Sequence, residues 1–259
     1  MERCLVEDDD DDDDDDDDND KRQPPMYVRL VVYHDESLYI IGIDAEDEAL
    51  NCIYKFCLET LTWSRLPDNN DTPPHCFNQH CTVFNSQLYV FEDTLTGRNR
   101  YHEVSIFDFS TNSWSIRSTS SKEGQYPNDR VNEAYAFSNN CAYMSGGKSE
   151  DGSICFSDIW RIDLENLEWL KLNDFLKTAG DGHKMCVVED VYLYSFRGDG
   201  SDEGCFKRLE RFTLRFPSLY RLSLECLFRS PNVRNYIKLL PTRIMVDLNL
   251  SDKNSYLDD

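Results

Sequence analysis

Four short β-prone runs carry a tyrosine in the same place: Ser37-Leu38-Tyr39-Ile40-Ile41-Gly42, Gln87-Leu88-Tyr89-Val90-Phe91, Cys141-Ala142-Tyr143-Met144-Ser145-Gly146-Gly147 and Asp190-Val191-Tyr192-Leu193-Tyr194. The tyrosines lie 50, 54 and 49 residues apart. A period of this size restricts the fold to an array of similar units, because one such unit cannot bury its apolar face alone and needs a neighbour to cover it.

A second pattern follows the first three runs at a similar offset. Ile53-Tyr54-Lys55-Phe56-Cys57-Leu58 leads through Glu59-Thr60-Leu61 to Trp63, Val104 to Phe109 leads through Ser110-Thr111-Asn112 to Trp114, and Ile159 to Leu164 leads through Glu165-Asn166 to Trp169. Alternating strand, polar turn and a second strand opened by tryptophan make a β-hairpin. With one strand before the tyrosine run and the run itself, each repeat supplies four strands. Four-stranded sheets at this period are the blades of a β-propeller, so the chain is expected to be all-β with about four blades. Because the tryptophan recurs in each hairpin, it is expected to plug the space between neighbouring blades.

The fourth hairpin does not reach a tryptophan. Leu209 to Leu214 reads as a strand, Phe216-Pro217-Ser218 interrupts it, and the apolar period then changes to that of a helix. Ser218 is placed as N-cap, with Leu219, Leu222, Ser223, Cys226 and Leu227 along one face. A second helical stretch is expected from Pro231-Asn232 through Val233, Tyr236 and Ile237, and a third from Leu240-Pro241 through Ile244, Met245 and Leu248. One role for these helices is to cap the open side of the last blade.

The formal charge of −22 is concentrated at one end. Residues 1–20 hold 14 acids, Asp8 to Asp18 among them, against Arg3 alone, so −9 falls on the other 239 residues. The acidic run is expected to be a solvated, self-repelling tail outside the fold. The expected organisation is therefore a disordered tail over 1–25, repeats over 26–216, a helical tail over 217–250 and a short disordered C-terminus over 251–259.

Several functions find no support in the sequence. No apolar stretch approaches the ~18 residues of a membrane span, and the N-terminus lacks a secretory pattern. An intracellular protein, cytoplasmic or nuclear, with reduced thiols is expected from the ten dispersed cysteines. No nucleophile elbow, phosphate-binding glycine loop or paired-carboxylate signature appears, which argues against an enzyme or a cofactor. The basic residues are scattered and outnumbered, against nucleic acid as a partner. His75-Cys76 and His80-Cys81 repeat a His-Cys pair five residues apart, yet the segment runs straight into the strand Thr82-Val83-Phe84, so structure is preferred to metal.

The tyrosine strand, the pair Gly146-Gly147, and the hairpin Asp158-Ile159-Trp160-Arg161-Ile162-Asp163-Leu164 with Trp169 together resemble the kelch repeat. The other copies lack the glycine pair, reading Gly42-Ile43, Glu92-Asp93 and Phe196-Arg197. Ser218-Leu219, Ser223 and Leu227 resemble an elongin-B/C-binding box, with Ser223 where cysteine is typical. Leu240-Pro241-Thr242-Arg243-Ile244 with Leu248 resembles the cullin box in its cullin-2 form. With Glu168-Trp169-Leu170-Lys171-Leu172, Phe216-Pro217 and Pro231-Asn232, residues 130 to 250 are similar to the C-terminal part of the kelch domain-containing protein 10 family.

That resemblance implies a substrate-recognition subunit of a cullin-2 RING ubiquitin ligase. Leu219, Ser223 and Leu227 would meet elongin B/C, and Leu240, Pro241 and Ile244 would meet cullin-2. The propeller would bind the C-terminal tails of substrates, a carboxylate chemistry served by Arg and hydroxyl groups. Arg130 stands where kelch arginines point into the central pocket, with Arg197 and Tyr126 as further candidates. A kelch scaffold that binds protein partners without recruiting a ligase, in stress-kinase signalling for example, is the alternative.

Overall fold

The computed structural model describes residues 24–45, 51–66, 79–92, 100–198, 206–231 and 239–247. They belong to two compact units, one ending at His183 and one beginning at Lys184.

The first unit holds three sheets. Strands β1 (Met26–His34), β2 (Ser37–Asp44), β3 (Asn51–Cys57) and β4 (Thr62–Arg65) pair in sequence order as one antiparallel sheet. Strands β5 (Gln79–Phe84), β6 (Gln87–Glu92), β7 (Glu103–Asp108) and β8 (Ser113–Ser118) repeat the arrangement. The third sheet is built from β10 (Ala134–Phe137), β11 (Cys141–Ser145), β12 (Asp158–Asp163) and β13 (Glu168–Phe175), and β9 (Ser120–Ser121) adds a fifth strand parallel to β13.

Turn chemistry explains why the repeats fold alike. The β1–β2 and β5–β6 hairpins close with Asp35-Glu36 and Asn85-Ser86, all four at positive φ, as a two-residue type I′ turn requires. Each outer hairpin bends through one left-handed residue two places before its tryptophan: Leu61, Asn112 and Leu167. In two of these turns an aspartate anchors the chain. Asp108 accepts the N–H groups of Ser110 and Thr111, and Asp163 those of Glu165 and Asn166.

Register carries the repeat into the packing. Leu38 faces Phe56, which faces Trp63. The same row in the second sheet is Leu88, Phe107 and Trp114, and in the third Ala142, Ile162 and Trp169. One core joins Val32, Tyr39, Ile41 and Ile53 of the first sheet to Leu88, Val90, Phe107 and Trp114 of the second. Another joins Tyr89, Phe91, Val104 and Ile106 to Met144, Trp160, Ile162 and Trp169 of the third. Burial of apolar area between successive sheets is the main source of stability in such an array. The expectation of equal burial for the three tryptophans needs correction. Trp114 and Trp169 are buried against the preceding sheet, whereas Trp63 stacks on Phe56 at 4.9 Å and is only half-buried.

The second unit holds a sheet of three strands, β14 (Lys184–Val188), β15 (Tyr192–Gly198) and β16 (Phe206–Thr213). After it the chain turns through Pro217 into α1 (Leu219–Arg229). Ser218 caps the helix by accepting the Arg221 N–H at 3.1 Å, the placement expected from sequence. Helix α1 lies on the sheet through buried Leu224, the Tyr192 hydroxyl donating to Glu225 at 2.8 Å, and Arg221 donating to Glu189 at 2.5 Å. A short α2 (Thr242–Asp247) follows, and the helix expected from Pro231 lies largely outside the described residues. No described helix is long and apolar enough to cross a membrane.

Candidate functional site

Arg130, the leading candidate for a substrate carboxylate, lies ahead of β10. Its side chain is 0% exposed and forks onto Asp158, with bonds of 2.6 and 3.3 Å. The same guanidinium donates to the carbonyls of Asn128 at 3.0 Å and Gly146 at 3.1 Å and lies 4.0 Å from the centre of the Phe156 ring. Four of its bonds run within the third sheet and the segment leading to it, and its charge is paired with Asp158.

Asp158 collects further donors. The Trp160 indole N–H reaches it at 2.8 Å and Lys171 lies 3.7 Å away. Burial alone would raise this carboxyl, but the bonds and charge of Arg130, aided by Trp160 and Lys171, outweigh it and hold the group below its ordinary value. A second pair lies beside this one. Arg100, ahead of β7, donates to the Arg130 carbonyl and to the Glu133 carboxylate, and so ties the second sheet to the third. Sequence reading missed Arg100 because a single arginine in an irregular stretch carries no periodic signal.

The glycine pair has a steric cause. Gly146 and Gly147 have φ of +71° and +83°, and a Cβ on Gly146 would stand 2.0 Å from His183 Cε1. A Cβ on Gly147 would stand 2.8 Å from the Val131 carbonyl oxygen. In the first sheet Gly42 answers a different need, since a Cβ there would meet the Tyr27 carbonyl oxygen at 2.3 Å.

Tyr126 is half-buried, donates its hydroxyl to the Thr119 carbonyl at 3.2 Å and stacks on His102 at 3.8 Å. Arg197 lies on β15 opposite Arg208 and belongs to the other unit. Within the first unit Arg130 and Tyr126 thus have different hydrogen-bond partners. His80 stacks on Tyr135 at 4.7 Å, and burial pushes the Cys81 thiol up to about 11; His75 and Cys76 lie outside the described residues.

The tail presents a different surface. Leu219 is 83% exposed, Ser223 is exposed with its hydroxyl donating to the Leu219 carbonyl at 2.8 Å, and Leu227 is half-buried. Phe216, Leu222 and Phe228 add exposed apolar area on or beside the same helix. Further on, Leu240 and Ile244 are half-buried and Pro241 exposed, with the Pro241 carbonyl accepting the Met245 N–H at 3.1 Å. Helix α1 thus holds its sheet through Leu224 and leaves Leu219, Leu222 and Phe228 exposed.

Comparison with known proteins agrees with this architecture. Residues 18–198 match the family model described as the KLHDC2/KLHL20/DRC7 Kelch-repeats domain. This chain belongs to that family of kelch-repeat propellers, a protein-interaction fold. Kelch domain-containing protein 10 of Rattus norvegicus is 24% identical over 221 residues, covering 81% of this chain and 53% of the relative. The Homo sapiens protein of the same name is 23% identical, covering 81% and 49%. The chain therefore spans about half the length of the curated relatives it matches. Among solved structures, that of YjhT aligns with 66% of this chain and 58% of its own at 17% identity and a TM-score of 0.46.

Proposed function

We propose that this protein is the substrate-recognition subunit of a cullin-2 RING ubiquitin ligase, working in the cytoplasm or nucleus. In this reading α1 docks on elongin B/C through Leu219, Ser223 and Leu227. Leu240, Pro241 and Ile244 select cullin-2, and the kelch sheets bind the C-terminal tails of protein substrates. The observation that supports it is the line of Leu219, Ser223 and Leu227 at i, i+4 and i+8 along α1, with Leu219 and Ser223 exposed and Leu227 half-buried.

With Arg130 paired to Asp158 and the Tyr126 hydroxyl donating to the Thr119 carbonyl, a substrate carboxylate would fall to Arg197. This commitment favours the second reading, a kelch scaffold that binds partners but recruits no ligase. Co-purification separates them. Wild type should bring down elongin C, and Leu219→Asp should not, because the substitution would bury an unpaired charge in the groove. Absence of elongin C with wild type would leave the scaffold reading.

A further inference from the structure

Charge is sorted along the chain. Residues 7–20 hold 13 acids and no base, whereas residues 206–243 hold nine bases against Glu210 and Glu225 alone, a charge of +7 in a chain of −22. Residues 21–183, with 14 bases against 24 acids, are themselves acidic, so the excess of positive charge belongs to the C-terminal stretch.

In the second unit that stretch runs through β16 and α1. Arg208, Arg211, Arg215 and Arg229 are exposed, and Arg221 is half-buried. The acids beside them are oversubscribed. Glu225 accepts the Tyr192 hydroxyl at 2.8 Å and Arg221 at 3.4 Å, and it lies 3.9 Å from Arg229, whose side chain stays 70% exposed. Glu210 lies 4.0 Å from Arg208, and Arg211 lies over the Tyr192 ring at 4.7 Å. Two carboxylates on β16 and α1 thus stand among five arginines, and the surplus charge is a surface property.

We propose that this basic surface is the docking site of the chain's own acidic segment, residues 7–20. Carboxylates in a row repel one another, and guanidinium forks are the groups that pair with them best. From Glu7 to Met26 the chain can extend over roughly 65 Å, so the tether does not limit which surface the segment meets, and the acidic residues 21–183 repel it. Tethering also raises its local concentration to the millimolar range, which lets individually weak pairs hold. Arg215 and Arg229 flank the exposed Leu219 and Leu222 in sequence, so the docked segment also screens α1 from partners.

Fluorescence anisotropy of a labelled peptide with the sequence of residues 7–20 tests this on full-length protein at low ionic strength. The variant with Asp8→Asn through Asp18→Asn, whose own segment is neutralised, should bind the peptide saturably. Wild type should bind it at least about tenfold more weakly, because its tethered segment holds the site. Adding Arg215→Glu and Arg229→Glu to the asparagine variant should weaken peptide binding at least about tenfold, whereas adding Lys122→Glu, exposed in the first unit, should leave it unchanged. Melting of each variant checks that the fold is retained. Amide NMR reads the contact within one chain: the Arg215 and Arg229 signals should differ between wild type and the asparagine variant, and that of Lys122 should not. The difference should vanish near 1 M salt, where charges are screened beyond about 3 Å. Equal peptide affinities of wild type and the asparagine variant, no peptide binding by either, or Arg215 and Arg229 signals indifferent to the acidic segment would overturn the proposal.

Discussion

The indole N–H of Trp169 donates to the carbonyl oxygen of Tyr101 at 2.9 Å, across 68 residues of sequence, while the two rings meet edge to face at 5.8 Å. The third sheet is thereby fastened to the chain segment that leads into β7. The tryptophan opens the outer strand of its hairpin and ends in a place the previous repeat has prepared, which is how a local motif becomes a tertiary contact.

Loss of the three hairpin tryptophans should therefore be graded by their surroundings. Trp169→Ala should destabilise by about 3–5 kcal/mol, the usual range for emptying a core aromatic site. Trp114→Ala should fall in the same range, and Trp63→Ala, half-exposed, should cost roughly 1 kcal/mol. Denaturant unfolding of each variant measures the order; a Trp63→Ala cost equal to that of Trp169→Ala would contradict this grading.

Asp158 should make the third sheet acid-sensitive. Its folded-state value is depressed, so its contribution is complete above the unfolded value near about pH 4 and is lost as pH falls through the lower folded one. Asp158→Asn, which strands the buried Arg130 charge, should cost about 3 kcal/mol at neutral pH and less in acid. Comparing the two melting profiles between neutral pH and about pH 3 checks the sign: the gap between wild type and variant should narrow in acid.

Gly146→Ala and Gly152→Ala separate backbone strain from collision. Both glycines have φ of +71°, but a Cβ on Gly152 has nothing within 4 Å, whereas one on Gly146 meets His183. Gly152→Ala should cost about 1 kcal/mol from the left-handed backbone alone. Gly146→Ala should cost clearly more, and His183→Ala, which removes the obstacle, should relieve part of that extra cost in a double-mutant cycle.

Much of this fold was legible because its signals are periodic. The tyrosine and tryptophan spacings fixed three hairpins and their common register, and Ser218 before an i, i+4 apolar pattern marked the start of α1. Burial was less legible. The rows ending at Trp63 and Trp169 read alike, and only the sheet packed against each row decides whether it is covered. Arg130 shows why site residues are harder still. Its position before β10 is visible in sequence, but the direction of its side chain depends on Asp158, 28 residues later, and on a turn that only glycine at 146 permits. The tail was readable for a simpler reason, since both the cap and the stripe of a helix are local.

The most direct measurement of the functional account is a calorimetric titration of purified elongin B/C into this protein. The account expects saturable binding by wild type and a loss of at least about 30-fold in affinity for Leu219→Asp, matching the ~2 kcal/mol or more of a groove anchor. Leu240→Asp should leave elongin binding within a few-fold of wild type while weakening the later recruitment of cullin-2. Ser223→Cys should bind elongin B/C at least as tightly as wild type. No heat of binding from wild type, or equal affinities for wild type and Leu219→Asp, would contradict the ligase-subunit reading.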